Sequence, residues 1–230
     1  VSKEKVVGIL GGMGPLATVE FFRQVVVSTP ARKDWEHLRI IIDNNAKIPS
    51  RTRAVLYGED SPAPMMITSI NRLADAGADF VAVPCNSAHY FYEDVAPLIR
   101  IPWLNMIDIT SRIVSGKWRR PLVLGGYITV EKRLYSRSLP GAVYPAGDWN
   151  AFVTEVIEEI KLTAKLSPSM KNKFKEMLEH YRREIDLVLL ACTELPLVYR
   201  SKSLYGIPVV DSGLEYAREV VRYARGSTGY

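Results

Sequence analysis

Two cysteines occur in the 230 residues, and each closes an apolar run in the same way. The segment Asp79-Phe80-Val81-Ala82-Val83-Pro84-Cys85-Asn86-Ser87 aligns with Asp186-Leu187-Val188-Leu189-Leu190-Ala191-Cys192-Thr193-Glu194. In both, an Asp opens the run and the cysteine follows it by six residues; the cysteines stand 107 residues apart, close to half the chain. The repeat predicts two similar lobes, each with a thiol at the carboxyl end of a central strand, where α/β folds hold their ligands. Cap residues follow each thiol, Asn86-Ser87 and Thr193-Glu194. A helix beginning there would turn free N–H groups and its positive end toward the sulfur and toward a bound carboxylate, pulling a thiol pKa down from about 8.5 toward neutrality. On such a helix His89 would share a face with Cys85 and tune its thiolate.

Other chemistries fit parts of the pattern. A single buried cysteine at a strand end is ordinarily a small hydrophobe, but two in matched polar contexts point to reactivity. Cys85-x3-His89 could supply two metal ligands, yet His37 and His180 have no spacing that would close a tetrahedral site. A cysteine nucleophile with a histidine base is a further option, and it would leave the repeat unexplained.

The loop Gly11-Gly12-Met13-Gly14-Pro15-Leu16-Ala17 matches the dinucleotide fingerprint in form, with Asp43 as the candidate ribose acid. Glycines at this spacing also arise wherever backbone must turn or approach closely. Pro15 suits a first helical position, which makes the loop a bed for a small anion. No Walker motif is present.

These residues need a scaffold, and short β-branched runs alternating with amphipathic stretches predict parallel strands joined by helices. Strands are expected over 6–10, 38–43, 80–84, 122–124, 187–190 and 208–210. Helices are expected over 15–28, 63–76, 88–99, 154–164, 168–181 and 213–223. The result is a doubly wound α/β protein. At 47% hydrophobic and 24% charged, with 30 basic against 25 acidic residues, composition excludes fibrous, disordered and disulfide-stapled classes. A net charge of +5 attracts small anions and falls short of a nucleic-acid footprint. The Lys117-Trp118-Arg119-Arg120 cluster reads as a solvated turn. No apolar run reaches the roughly 18 residues of a membrane span, and residues 1–5 carry no signal-peptide core, so a cytoplasmic chain is expected.

Taken together, four segments resemble the aspartate/glutamate racemase family, and within it the aspartate racemase branch. They are Gly8-Ile9-Leu10-Gly11-Gly12-Met13-Gly14-Pro15, Ile48-Pro49-Ser50-Arg51-Thr52, Pro84-Cys85-Asn86-Ser87-Ala88-His89 and Ala191-Cys192-Thr193-Glu194. The resemblance implies a cofactor-free racemase of two α/β lobes with mainly parallel sheets, the active site between them. It places one lobe over 1–100 plus 211–230 and the other over 101–210, and it implies a homodimer with no nucleic-acid or membrane partner. Cys85 and Cys192 would then exchange the α-proton of a small dicarboxylic amino acid from opposite faces. Asn86, Ser87 and Thr193, with nearby N–H groups, would steady the carbanion. Met13, Arg51 and Lys161 fall where the family binds substrate, with Lys165 competing for the place of Lys161. Three positions depart from the family pattern: Tyr127 after Gly125-Gly126, Ser87 for a more usual Thr, and Glu194 where glutamate racemases carry His. A broad acidic amino-acid racemase, a maleate isomerase-like enzyme and an amino-acid-binding protein without turnover remain alternatives.

Overall fold

The computed structural model describes residues 4–226. The expectation about the leader at residues 1–5 therefore lies partly outside the described residues. In chain order the elements are β1 (Val7–Gly11), α1 (Pro15–Ser28), β2 (Ile40–Asn44), α2 (Arg51–Tyr57), α3 (Ala63–Asp75), β3 (Phe80–Ala82), α4 (Tyr92–Val95) and α5 (Met106–Ser115). They continue with β4 (Pro121–Gly125), α6 (Tyr127–Glu131), α7 (Asp148–Thr163), α8 (Pro168–Tyr181), β5 (Leu187–Ala191), β6 (Ser203–Leu204), β7 (Ile207–Asp211) and α9 (Ser212–Ala224). The chain divides into two compact units, Val1–Ile109 with Gly213–Tyr230, and Thr110–Ser212. The fold is α/β, with parallel sheets flanked by helices.

In the first unit the described sheet has the order β2-β1-β3, with both pairings parallel. Val7 lies opposite Ile40 on one side and Phe80 on the other. Every residue of β1 is buried, as a central parallel strand covered on both faces requires, whereas β2 is half exposed at the edge. Helix α3 turns Met66, Ile70 and Leu73 inward at 3–4 spacing, against Leu10, Val81 and Val83. Each such side chain contributes about 1.5–3 kcal/mol through the surface it removes from water.

The second unit has the order β4-β5-β7-β6; β4, β5 and β7 run parallel, and the two-residue β6 pairs antiparallel with β7. Its core joins Leu122, Leu124, Val188 and Leu190 to the inner faces of α7 and α8, among them Phe152, Val156, Phe174 and Leu178. Helix α7 stops at Ala164, whose φ of 54° is left-handed, its N–H bonded to the Ile160 carbonyl. Lys161 therefore sits in the last helical turn and Lys165 lies beyond the helix.

The helix expected over 88–99 is instead a 3-10 stretch (Asn86–Phe91), the short α4 and a second 3-10 turn (Ala96–Leu98). The Cys85 carbonyl explains the first break: it takes the N–H of Ala88 and the ring Nδ1 of His89, leaving no α-helical bond for it to accept. Pro97 in the last turn has no N–H to give.

Candidate functional site

In the first unit Cys85 comes three residues after β3 and is buried in one cluster with Leu10, Met13, Ile48 and Val83. The backbone leading to it is held by Tyr216, whose hydroxyl accepts from the Val83 N–H at 3.2 Å and donates to the Leu104 carbonyl at 2.6 Å. The Cys85 sulfur lies 3.4 Å from the Ser87 hydroxyl. Asn86 is buried beside it.

Arg51 begins α2, where the Ser50 hydroxyl caps the helix by accepting from Arg53 N–H. Its guanidinium donates to the Pro49 carbonyl at 3.0 Å and to the Met13 carbonyl at 3.3 Å. Its Nε is buried without an acceptor among the described residues. The structure thus joins Arg51 to Met13, and Met13 to the cluster that holds Cys85.

Close approach explains the glycines of the first loop. A Cβ on Gly12, at φ 90°, would lie 2.3 Å from the Asn45 backbone, and one on Gly11 would lie 2.2 Å from the Thr18 side chain. The Thr18 hydroxyl accepts from Gly12 N–H at 3.0 Å and donates to the Gly14 carbonyl.

Both ring nitrogens of His89 bond backbone groups rather than the Cys85 sulfur that the sequence suggested as their partner. Met106 N–H donates to its Nε2 at 3.0 Å, so Nδ1 carries the proton and donates to the Cys85 carbonyl at 2.9 Å. Burial pushes its pKa down to about 4 against the pull of its backbone bonds, and the ring is a neutral strut between two segments.

In the second unit Cys192 follows β5 directly, and its thiol donates to Glu194 Oε2 at 2.9 Å. Glu194 is 4% exposed, and the Thr193 hydroxyl lies 3.5 Å from the same oxygen. Cys192 keeps partial exposure as a residue, but the protein around its sulfur desolvates the charged form. That burial, then the charge of Glu194 and the hydrogen bond to it, raise the thiol pKa well above its ordinary value; Lys161 pulls the other way. The lowered pKa expected for this cysteine is therefore overturned. No α-helix starts at it: only the 3-10 turn Leu195–Leu197 follows.

Lys161 pairs with Glu158 at 2.7 Å and remains partly exposed. Burial works to lower its pKa, but the bond to Glu158 and the charges of Glu194 and Cys192 outweigh it, and the pKa rises. Of the two lysines weighed in the sequence, Lys161 is the one that senses Cys192. Glu194 and Glu158 were not expected as partners, although the Cys-x-Glu spacing was visible. Among the described residues no group of three or more His, Cys, Asp or Glu side chains could hold a metal ion, and no helix is long and apolar enough to cross a membrane.

Each α/β unit thus carries a buried or desolvated thiol shortly after a parallel strand; the strand is central, as expected, for Cys192, but for Cys85 it is β3, at the edge of the described order β2-β1-β3. The family model described as Asp/Glu/Hydantoin racemase matches residues 10–220. The chain belongs to that family, whose members are isomerases acting on amino acids. It is similar to the aspartate racemase of Picrophilus torridus, at TM-score 0.85 and 31% identity over 96% of this chain and 94% of that one. An aspartate racemase homologue from Pyrococcus horikoshii OT3 aligns at TM-score 0.76 and 25% identity, over 96% and 99%. The broad specificity amino-acid racemase RacX of Bacillus subtilis (strain 168) is 26% identical over 222 residues, 94% of this chain and 96% of its own length.

Proposed function

We propose that this protein interconverts the enantiomers of aspartate by proton transfer through Cys85 and Cys192, without a cofactor. The observation that carries the reading is the placement of a free thiol shortly after a parallel strand in each unit of a racemase-family fold. Inversion at an α-carbon requires a base on one face and an acid on the other. In one direction the Cys85 thiolate takes the α-proton: the C–H bond breaks, an S–H bond forms, and the electron pair spreads into the substrate carboxylate. Cys192 then delivers its own proton to the opposite face, leaving as thiolate; the other enantiomer runs the steps in reverse.

The raised pKa of Cys192 supports this division, because it keeps that sulfur protonated and ready to give. Asn86, Ser87, Thr193 and neighbouring N–H groups stabilise the carbanion in this reading. Arg51, whose Nε is buried without an acceptor among the described residues, meets the distal carboxylate in this reading, and Lys161 serves the Cys192 side.

The similarity to RacX favours a second reading, a broader amino-acid range on the same two thiols. A chirality assay over a panel that includes aspartate, glutamate and alanine, without added cofactor, separates the two: aspartate far ahead supports the first, comparable rates support the second. The functional form proposed is a homodimer, supported by the exposed Leu16, Val19 and Phe22 along α1. Sedimentation at assay concentration tests it.

A further inference from the structure

We propose that a cavity along the outer face of α3 is a second small-molecule site, which takes a zwitterion carrying more carboxylate than ammonium. The cavity has a volume of about 660 Å³, lies wholly within the first unit, and includes none of Cys85, Met13 and Arg51. Its lining carries two cations, Lys47 and Arg72, and one carboxylate, Asp60. None of the three has a hydrogen-bonding or ion-pairing partner for its side chain among the described residues. Nearby charges are already matched: Arg53 pairs with Glu59 and Arg100 with Asp75. All three side chains are exposed around the mouth of this open groove, so its unpaired charges are two positive against one negative, each in contact with solvent.

The wall that presents them is held in place. The Asn45 amide donates to the fully buried Ser69 hydroxyl at 3.0 Å, and the Asn45 side-chain oxygen accepts the Lys47 backbone N–H at 3.1 Å. Lys47 thus leaves a fixed loop, and Arg72 leaves the last turn of α3. Pro64 and the half-buried Met65 supply an apolar strip between the polar groups. Pockets of this size lined by apolar surface with a few convergent polar groups are the usual form of small-molecule sites. A ligand with two carboxylates would satisfy Lys47 and Arg72, the latter by a paired N–H fork, and its ammonium would meet Asp60. Its short aliphatic chain would rest on Met65. Acidic amino acids are the class with this charge pattern. The assignment comes from the cavity alone and stands whether or not the chain racemises.

The test follows the Met65 methyl group by NMR in the full chain labelled with ¹³C-methyl methionine, assigned by Met65→Leu. Aspartate, succinate and sodium chloride are titrated at matched ionic strength. The expected result is a saturable Met65 shift with aspartate, a weaker affinity for succinate, which has no ammonium, and no saturable response to chloride. Lys47→Gln with Arg72→Gln should weaken the aspartate response by about tenfold or more. A Met13 methyl that shifts while Met65 stays still would place aspartate at the cysteine site only and overturn the proposal. An unchanged Met65 titration in the double variant would overturn it as well. Loss of racemase activity in either outcome leaves the Met65 readout unaffected, so the two readings fail separately.

Discussion

The Cys192 thiol donates to Glu194 Oε2 at 2.9 Å, and the charge of Glu194 and that of Lys161 act on this sulfur with opposite sign. Removing each should therefore move the thiol in opposite directions. In a Cys85→Ser background, Glu194→Gln should lower the pH midpoint for alkylation of Cys192, and Lys161→Gln should raise it. Each unit of midpoint changes the rate at a fixed lower pH by about tenfold. Alkylation profiles of the two variants that move the same way would contradict the assignment.

Arg51 already spends two donors on the Pro49 and Met13 carbonyls and keeps a buried Nε without an acceptor. If that guanidinium meets the distal carboxylate, Arg51→Ala should cost about 10²-fold in kcat/KM for aspartate, as expected for a lost charged hydrogen bond of about 2–3 kcal/mol, and much less for alanine. Equal losses on the two substrates would mean that Arg51 only props the loop.

His89 is held neutral between the Cys85 carbonyl and Met106 N–H, with a folded pKa of about 4. An unfolded histidine titrates near 6.5, so below that pH the unfolded chain binds a proton that the folded chain refuses. The stability present above about pH 6.5 is thus lost as pH falls toward 4, by on the order of 3 kcal/mol. Urea unfolding at several pH values should show this slope in the parent chain and a shallower one in His89→Gln. Parallel slopes would contradict it.

The long, regular helices were legible because their apolar residues keep one period: α1 and α8 run over the expected residues, and α3 differs by one. Three helices, α2, α5 and α6, escaped notice, two of them being seven and five residues long. Helix α7 begins at Asp148, six residues before its expected start, because Trp149 and Asn150 carry little helix signal although tertiary packing buries Asn150 and Phe152. The broken stretch after Cys85 depends on where the His89 ring bonds, a contact between residues 89 and 106 that local pattern does not encode. The same holds at the second thiol. Thr193-Glu194 suggests a cap, whereas burial turns the Glu194 carboxylate onto the sulfur and reverses the direction of its pKa shift.

The central claim is that two thiols exchange protons with one α-carbon. It is tested most directly by the appearance of deuterium at Cα when L- or D-aspartate is incubated in D₂O with the parent chain, Cys85→Ala and Cys192→Ala, without cofactor. The account predicts exchange coupled to inversion in the parent, and turnover lowered by about 10³-fold or more in each variant with the fold retained by circular dichroism. Near-parental racemisation of both enantiomers by either variant would contradict it.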